Sequence, residues 1–131
     1  MASDIKQGFG TKWDAIAAND LADNGNSLSA ARDNSSNKYI GAWIVVKCNV
    51  GVGADADGWT LSMTPSVDGG TTYADASTFI VGTGPSPDSG TIVRAFRVDR
   101  LPSNYKLNIL NETGGTANFD VDVMEDYFVS G

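Results

Sequence analysis

The sequence contains no histidine. That excludes Ser-His-Asp and Cys-His nucleophile systems and the common histidine zinc sites. There is one cysteine, Cys48, so no internal disulfide can form and a disulfide-stapled fold is excluded. Cys48 lies in an apolar run, where a thiol reads as a small core residue and not as a nucleophile. Positive charge is scarce: Lys and Arg total 9 against 16 Asp and Glu, a net charge of -7. A protein that holds phosphate backbones needs a basic footprint, and the densest group here is Arg94, Arg97 and Arg100. Nucleic acid is therefore not expected as a partner, nor is an anionic membrane surface. No apolar run is long enough to cross a bilayer, and Met1 to Gln7 lack the basic end and apolar stretch of a signal peptide. The expectation is synthesis in a cytoplasm and no use of the general secretory route.

What is present points to strands and turns. A length of 131 residues suits one domain. Hydrophobic residues make up 41%, enough for a core, and charged residues only 19%, too few for a disordered chain. Gly is abundant at 15 residues. Ile40, Ala42, Ile44, Val46, Cys48 and Val50 alternate with Gly41, Trp43, Val45, Lys47 and Asn49, which predicts a strand with apolar residues on both faces. Gly51 to Gly58 ends it. Trp59, Leu61 and Met63 alternate with Thr60, Ser62 and Thr64, and Pro65 ends that strand or marks an edge. Asp68-Gly69 signals a hairpin. Phe79 to Val81 precedes a loop expected over Gly82 to Gly90. Strands follow at Ile92 to Val98, Tyr105 to Ile109 and Phe119 to Val129, separated by a Leu101-Pro102 turn and a Gly-rich turn from Asn111 to Asn118.

Six or seven short strands with no convincing core helix read as an all-β antiparallel β-sandwich. Residues 1–27 stand apart as an N-terminal arm or first strand, with 28–131 as the sandwich domain. In the arm Trp13, Ile16, Ala17 and Leu21 recur at helical spacing, but Asp23-Asn24-Gly25-Asn26 cuts the pattern short, so a short helix competes with the strand reading.

No catalytic set can be assembled. Asp55-Ala56-Asp57-Gly58 has the alternating oxygens of a calcium loop, but Trp59 follows at once and an ordinary Asp/Gly turn explains it better. Asp120, Asp122 and Asp126 share one face of the last strand and read as a solvated edge that blocks unwanted pairing. Glu112 and Glu125 are the only glutamates, and nothing in the sequence pairs them. Trp13, Trp43 and Trp59 could stack on a sugar, although strand placement of Trp43 and Trp59 favours core or interface packing. Asn34-Ser35-Ser36 and Asn111-Glu112-Thr113 fit the glycosylation pattern by coincidence. The reading is a non-enzyme without metal or cofactor.

One order of features spans residues 21 to 115. It runs through Leu21-Ala22-Asp23-Asn24-Gly25, Ser29 to Ser35, the strand from Ile40 to Val50, Ser66-Val67-Asp68-Gly69-Gly70-Thr71-Thr72-Tyr73, Leu101-Pro102 and Asn111-Glu112-Thr113-Gly114. This order resembles small virion structural proteins of tailed bacteriophages. The resemblance implies a jelly-roll-like sandwich and a place in the virion, foremost as a capsid decoration (cement) protein on the capsid surface. Its partners would be the major capsid protein and itself, as a trimer or another cyclic oligomer. The alternative is a tail-associated protein that binds a receptor or carbohydrate. In the decoration reading Trp13, Ile16 and Leu21 are the residues expected to meet a neighbour, with Trp13 as the anchor whose loss weakens binding and spares the fold; in the alternative, glycan binding would depend on Trp43 or Trp59.

Overall fold

A computed structural model of the protein describes residues 5–34, 36, 39–50, 58–75, 79–86 and 90–130. These residues contain strands and no helix. The strands are β1 (Ile5–Phe9), β2 (Trp13–Leu21), β3 (Asn26–Leu28), β4 (Arg32–Asp33), β5 (Gly41–Val50), β6 (Gly58–Ser66), β7 (Ile80–Gly84), β8 (Gly90–Val98), β9 (Asn104–Glu112) and β10 (Ala117–Ser130). Every pairing is antiparallel.

Two sheets result. In sheet A the order is β1-β10-β5-β8, with β2 also on β10; in sheet B it is β3-β9-β6-β7, with β4 also on β9. β1 pairs with the far end of β10 and β2 with its start, so the two form one interrupted edge along a single long strand. The Gly10 amide bridges the interruption by donating to the Glu125 carbonyl at 2.8 Å. β3 and β4 share the edge of β9 in the same way. With each broken edge counted as one strand, this is the eight-strand double-sheet order of a jelly roll.

Alternation explains which side chains meet between the sheets. β5 contributes Ala42, Ile44, Val46, Cys48 and Val50, and β10 contributes Phe119, Val121 and Val123. Sheet B faces them with Trp59, Leu61, Met63, Tyr105, Leu107 and Ile109. Cys48 is buried among them, and burial pushes its thiol pKa up to about 11, so it stays protonated and inert.

Residues 5–21 form an edge of sheet A through β1 and β2, so of the alternatives for this segment the strand is the one seen there and the short helix is not. β2 bulges twice: its register slips between Val121 and Asp122 of β10 and again between Ala117 and Phe119. Asp20 takes a left-handed backbone (φ 55) near the second slip. Each extra residue lengthens the inward repeat from two to three, so Trp13, Ile16, Ala18 and Leu21 all oppose inward residues of β10.

Three further expectations change. β10 is an interior strand flanked by β5 on one side and β1 and β2 on the other, so its aspartates do not guard an edge. The Asp68-Gly69 signal does fall between two antiparallel neighbours, β6 and β7, but in a compact loop and not in a two-residue turn. The Asp68 carboxylate accepts from Ser66 Oγ at 2.8 Å and from the amides of Thr71 and Thr72, which holds its pKa below the ordinary range. Gly82–Gly84 belongs to β7 instead of a loop. Pro65 does sit where β7 no longer pairs; its carbonyl accepts from the Ala74 amide at 3.0 Å.

Gly84 shows why glycines pattern β7. A Cβ there would lie 2.0 Å from the Trp59 ring, and one at Gly82 would lie 2.1 Å from the Phe96 ring. Trp59 in turn packs edge-on against Phe96 and Phe119. Gly84→Ala must displace the largest core side chain, and overpacking of this kind costs about 1–3 kcal/mol. The expected result is a lower urea midpoint at unchanged m; an unmoved midpoint would show that Trp59 does not rest on this backbone.

Candidate functional site

At one end of the sandwich an ion pair lies inside the fold. Glu125 is 1% exposed. Its Oε1 accepts from Arg32 Nε at 3.0 Å and from Arg32 Nη2, and its Oε2 accepts from the Tyr105 hydroxyl at 2.9 Å. The Arg32 guanidinium also lies over the Trp13 ring, 5.4 Å from its centroid, and near Tyr39 at 5.9 Å. The Glu125 hydrogen bonds raise the Arg32 pKa further. Burial, then the Glu125 charge, raises that of Tyr105, so its phenol stays protonated. Each carboxylate oxygen is already engaged, so this cluster ties β4, β9 and β10 together and offers no free acid or base.

The outer face of sheet A is different, because it is open and sets exposed apolar side chains among charged ones. Trp43 on β5 is 45% exposed, Phe128 on β10 is 62% exposed, and Phe9, Ile40 and Val93 are exposed as well. Met124 and Arg97 flank Trp43 on the neighbouring strands. Arg97 lies over the Trp43 ring at 5.7 Å and reaches across β5 to the Asp126 carboxylate, donating from Nη2 to Oδ1 at 2.9 Å and from Nη1 to Oδ2. It can cross there because Gly41 has no side chain: a Cβ would meet Arg97 Nη2 at 2.5 Å. The fork raises the Arg97 pKa and fixes the guanidinium beside the indole. Aromatic residues, Met and Arg are the types enriched where proteins dock.

Acidic groups also lie on this face. Asp122 pairs in register with Asp14, and Lys12 lies nearby. Burial, then the hydrogen bond with Asp14, raises the Asp122 pKa, and one of its oxygens has no partner. A raised folded pKa means the folded state holds the proton more tightly. Stability is therefore lost as pH rises from the ordinary Asp value of ~3.9 through the raised value. Asp122→Asn should melt higher than wild type at pH 7, and the gap should close as pH falls below ~3.9. A gap independent of pH would remove titration as its cause.

The residues singled out from sequence are distributed otherwise than expected. Ile16 is 3% exposed and lies in the protein's own core. Trp13 and Leu21 pack against that core, and Trp13 meets Tyr105 edge-on at 6.1 Å. Their inward side of β2 is already occupied, so Trp13→Ala should cost stability instead of sparing the fold. Trp59 is core, while Trp43 is on the surface. Asp126 is paired with Arg97 and is not grouped with Asp122. No cluster of three metal-ligating side chains occurs among the described residues. The Asp55 and Asp57 turn and Ser35 of the first glycosylation triplet lie outside the described residues. Asn111 of the second triplet is fully buried; its Nδ2 donates to the carbonyls of Leu21 and Gly115, and its Oδ1 accepts from Thr113. Sequence reasoning missed Glu125, Arg32 and the Arg97–Asp126 fork. Only the odd occurrence of a glutamate on an apolar face marked the first.

No family model and no curated protein matches the chain. Solved structures do. A structure of infectious bursal disease virus, Gx strain, aligns with a TM-score of 0.50 at 14% identity, over 96% of this chain and 31% of that one. The chain thus spans about a third of that viral protein. A subunit of the Bacillus endospore appendages, a family of disulfide-linked pili, aligns with a TM-score of 0.41 at 18% identity, covering 99% of this chain and 93% of that one. The C-terminal CBM6 of LamC from Zobellia galactanivorans aligns with a TM-score of 0.42 at 12% identity, covering 92% and 98%. At these identities the likeness is one of fold: an all-β jelly-roll-like sandwich.

Proposed function

We propose that this protein is a non-enzymatic structural subunit of a tailed-bacteriophage virion, a decoration protein that binds the assembled lattice of the major capsid protein. The observation that carries this reading is the outer face of sheet A. Trp43, Phe9 and Phe128 stand exposed there around a guanidinium held by Asp126, and Val93 is exposed further along β8. Patches of this composition are docking surfaces more often than solvent faces. The reading moves the contact from the N-terminal segment, whose inward residues close the protein's own core, to the opposite side of the same sheet.

A ligand that binds only the assembled shell stabilises it by mass action. The contact needs no cleft and no reacting group. Self-association around a capsid symmetry axis would use the same face or its rim. The test mixes the purified protein with expanded capsids that lack it and images the particles by electron microscopy. Ordered added density with sheet A against the shell is the expected result. Bare shells would refute the decoration role.

A further inference from the structure

The outer face of sheet B lies on the far side of the sandwich and carries a groove of ≈ 430 Å³. Its floor is two cross-strand rungs. One runs Ile80, Ser62 and Asn108 across β7, β6 and β9; the next runs Thr60, Leu110 and Asn26 across β6, β9 and β3. Glu112 stands at one end. From these residues we infer that the groove binds a neutral saccharide.

Asn108 carries the argument. It is 3% exposed, and its Nδ2 donates to Asn26 Oδ1 at 3.0 Å, which fixes the amide plane. Asn108 lines the groove, and its Oδ1, covered from solvent, accepts no hydrogen bond among the described residues, so a ligand hydroxyl reaches it only with a small shift of the side chain. A buried acceptor left unpaired costs free energy that a ligand hydroxyl would recover. The surrounding groups define that ligand. Two hydroxyls, two amides and a carboxylate offer many acceptors and few fixed donors, so the complement is a molecule rich in O–H donors. No lysine or arginine lines the groove among the described residues, and Glu112 repels anions, so phosphorylated, sulfated and acidic sugars do not fit. Ile80 and Leu110 supply apolar floor for the C–H face of a sugar ring. The inference stands apart from the capsid reading, and docking through sheet A leaves this face uncovered.

The test titrates the isotope-labelled full chain with neutral oligosaccharides of glucose, mannose, galactose and xylose, and separately with sialylated and sulfated glycans. The readout is amide chemical shift. A neutral oligosaccharide is expected to give saturable shifts at Thr60, Ser62, Asn108 and Leu110 and none at Trp43. Asn108→Ala should weaken it roughly tenfold or more. Asn26→Ala, at an exposed position, should also weaken it and serves if the Asn108 variant fails to fold. Trp43→Ala should leave it unchanged. No shift with any neutral sugar, a preference for anionic glycans, shifts confined to sheet A, or binding undiminished in both asparagine variants would each overturn the inference.

Discussion

Replacing Arg32 by Met is expected to cost about 3 kcal/mol or more of folding stability, because it leaves a charge uncompensated inside the sandwich. Glu125 is the group left behind. It lies on the inward side of β10, and Arg32 supplies two of its three hydrogen bonds. The Arg32 side chain keeps 29% exposure, so water reaches one end of the pair and holds the loss near the lower end of the ~3–5 kcal/mol range. Tyr105→Phe removes the remaining hydrogen bond and should cost less, about 1–3 kcal/mol. The double change Arg32→Met with Glu125→Leu removes both charges and should recover much of the single loss, since well-packed apolar replacements of buried pairs are often neutral. Urea unfolding of the single and double variants checks this. A single variant as stable as wild type, or a double variant no better than the single, would show that the charge is not confined as the geometry indicates.

Trp43→Ala is expected to lower affinity for the capsid by roughly thirty-fold or more, the size of loss found at interface hot spots. Its effect on folding should be small. The indole is exposed on its outer side, and the contact it loses is the Arg97 cation–π interaction, worth ~0.5–1 kcal/mol at such a site. Phe128→Ala should act in the same direction. Val67→Ala provides the control, because Val67 is 98% exposed just beyond β6 and away from sheet A. Quantified occupancy on capsids, alongside thermal melts, separates binding from stability. Full occupancy with Trp43 removed would mean that sheet A is not the docking face, whatever the fate of Trp13.

Much of the sandwich could be read from alternation. Ala42 to Val50 and Trp59 to Met63 repeat with a period of two, and their apolar members are buried as that period requires. Tyr105, Leu107 and Ile109 follow the same rule. β2 was harder. Its two bulges turn a period of two into spacings of three, two and three at Trp13, Ile16, Ala18 and Leu21, which imitates a helix. The bulges depend on pairing with β10, about a hundred residues later, and no local pattern announces them.

The sequence by itself determined the class of fold, the inert burial of Cys48 and the absence of histidine chemistry, because each rests on residue type or on neighbours a few positions apart. Only the tertiary structure decided how polar groups are used. Glu125 and Arg32 are 93 residues apart, Arg97 and Asp126 are 29 apart, and Asn108 and Asn26 are 82 apart. A side chain's face follows from strand parity, but its partner follows from sheet order. Sheet order also turned β10 from an expected edge into the centre of sheet A and left Trp43 on the open side. Alternation cannot tell an outward face that meets water from one that meets another protein, because both satisfy the same period.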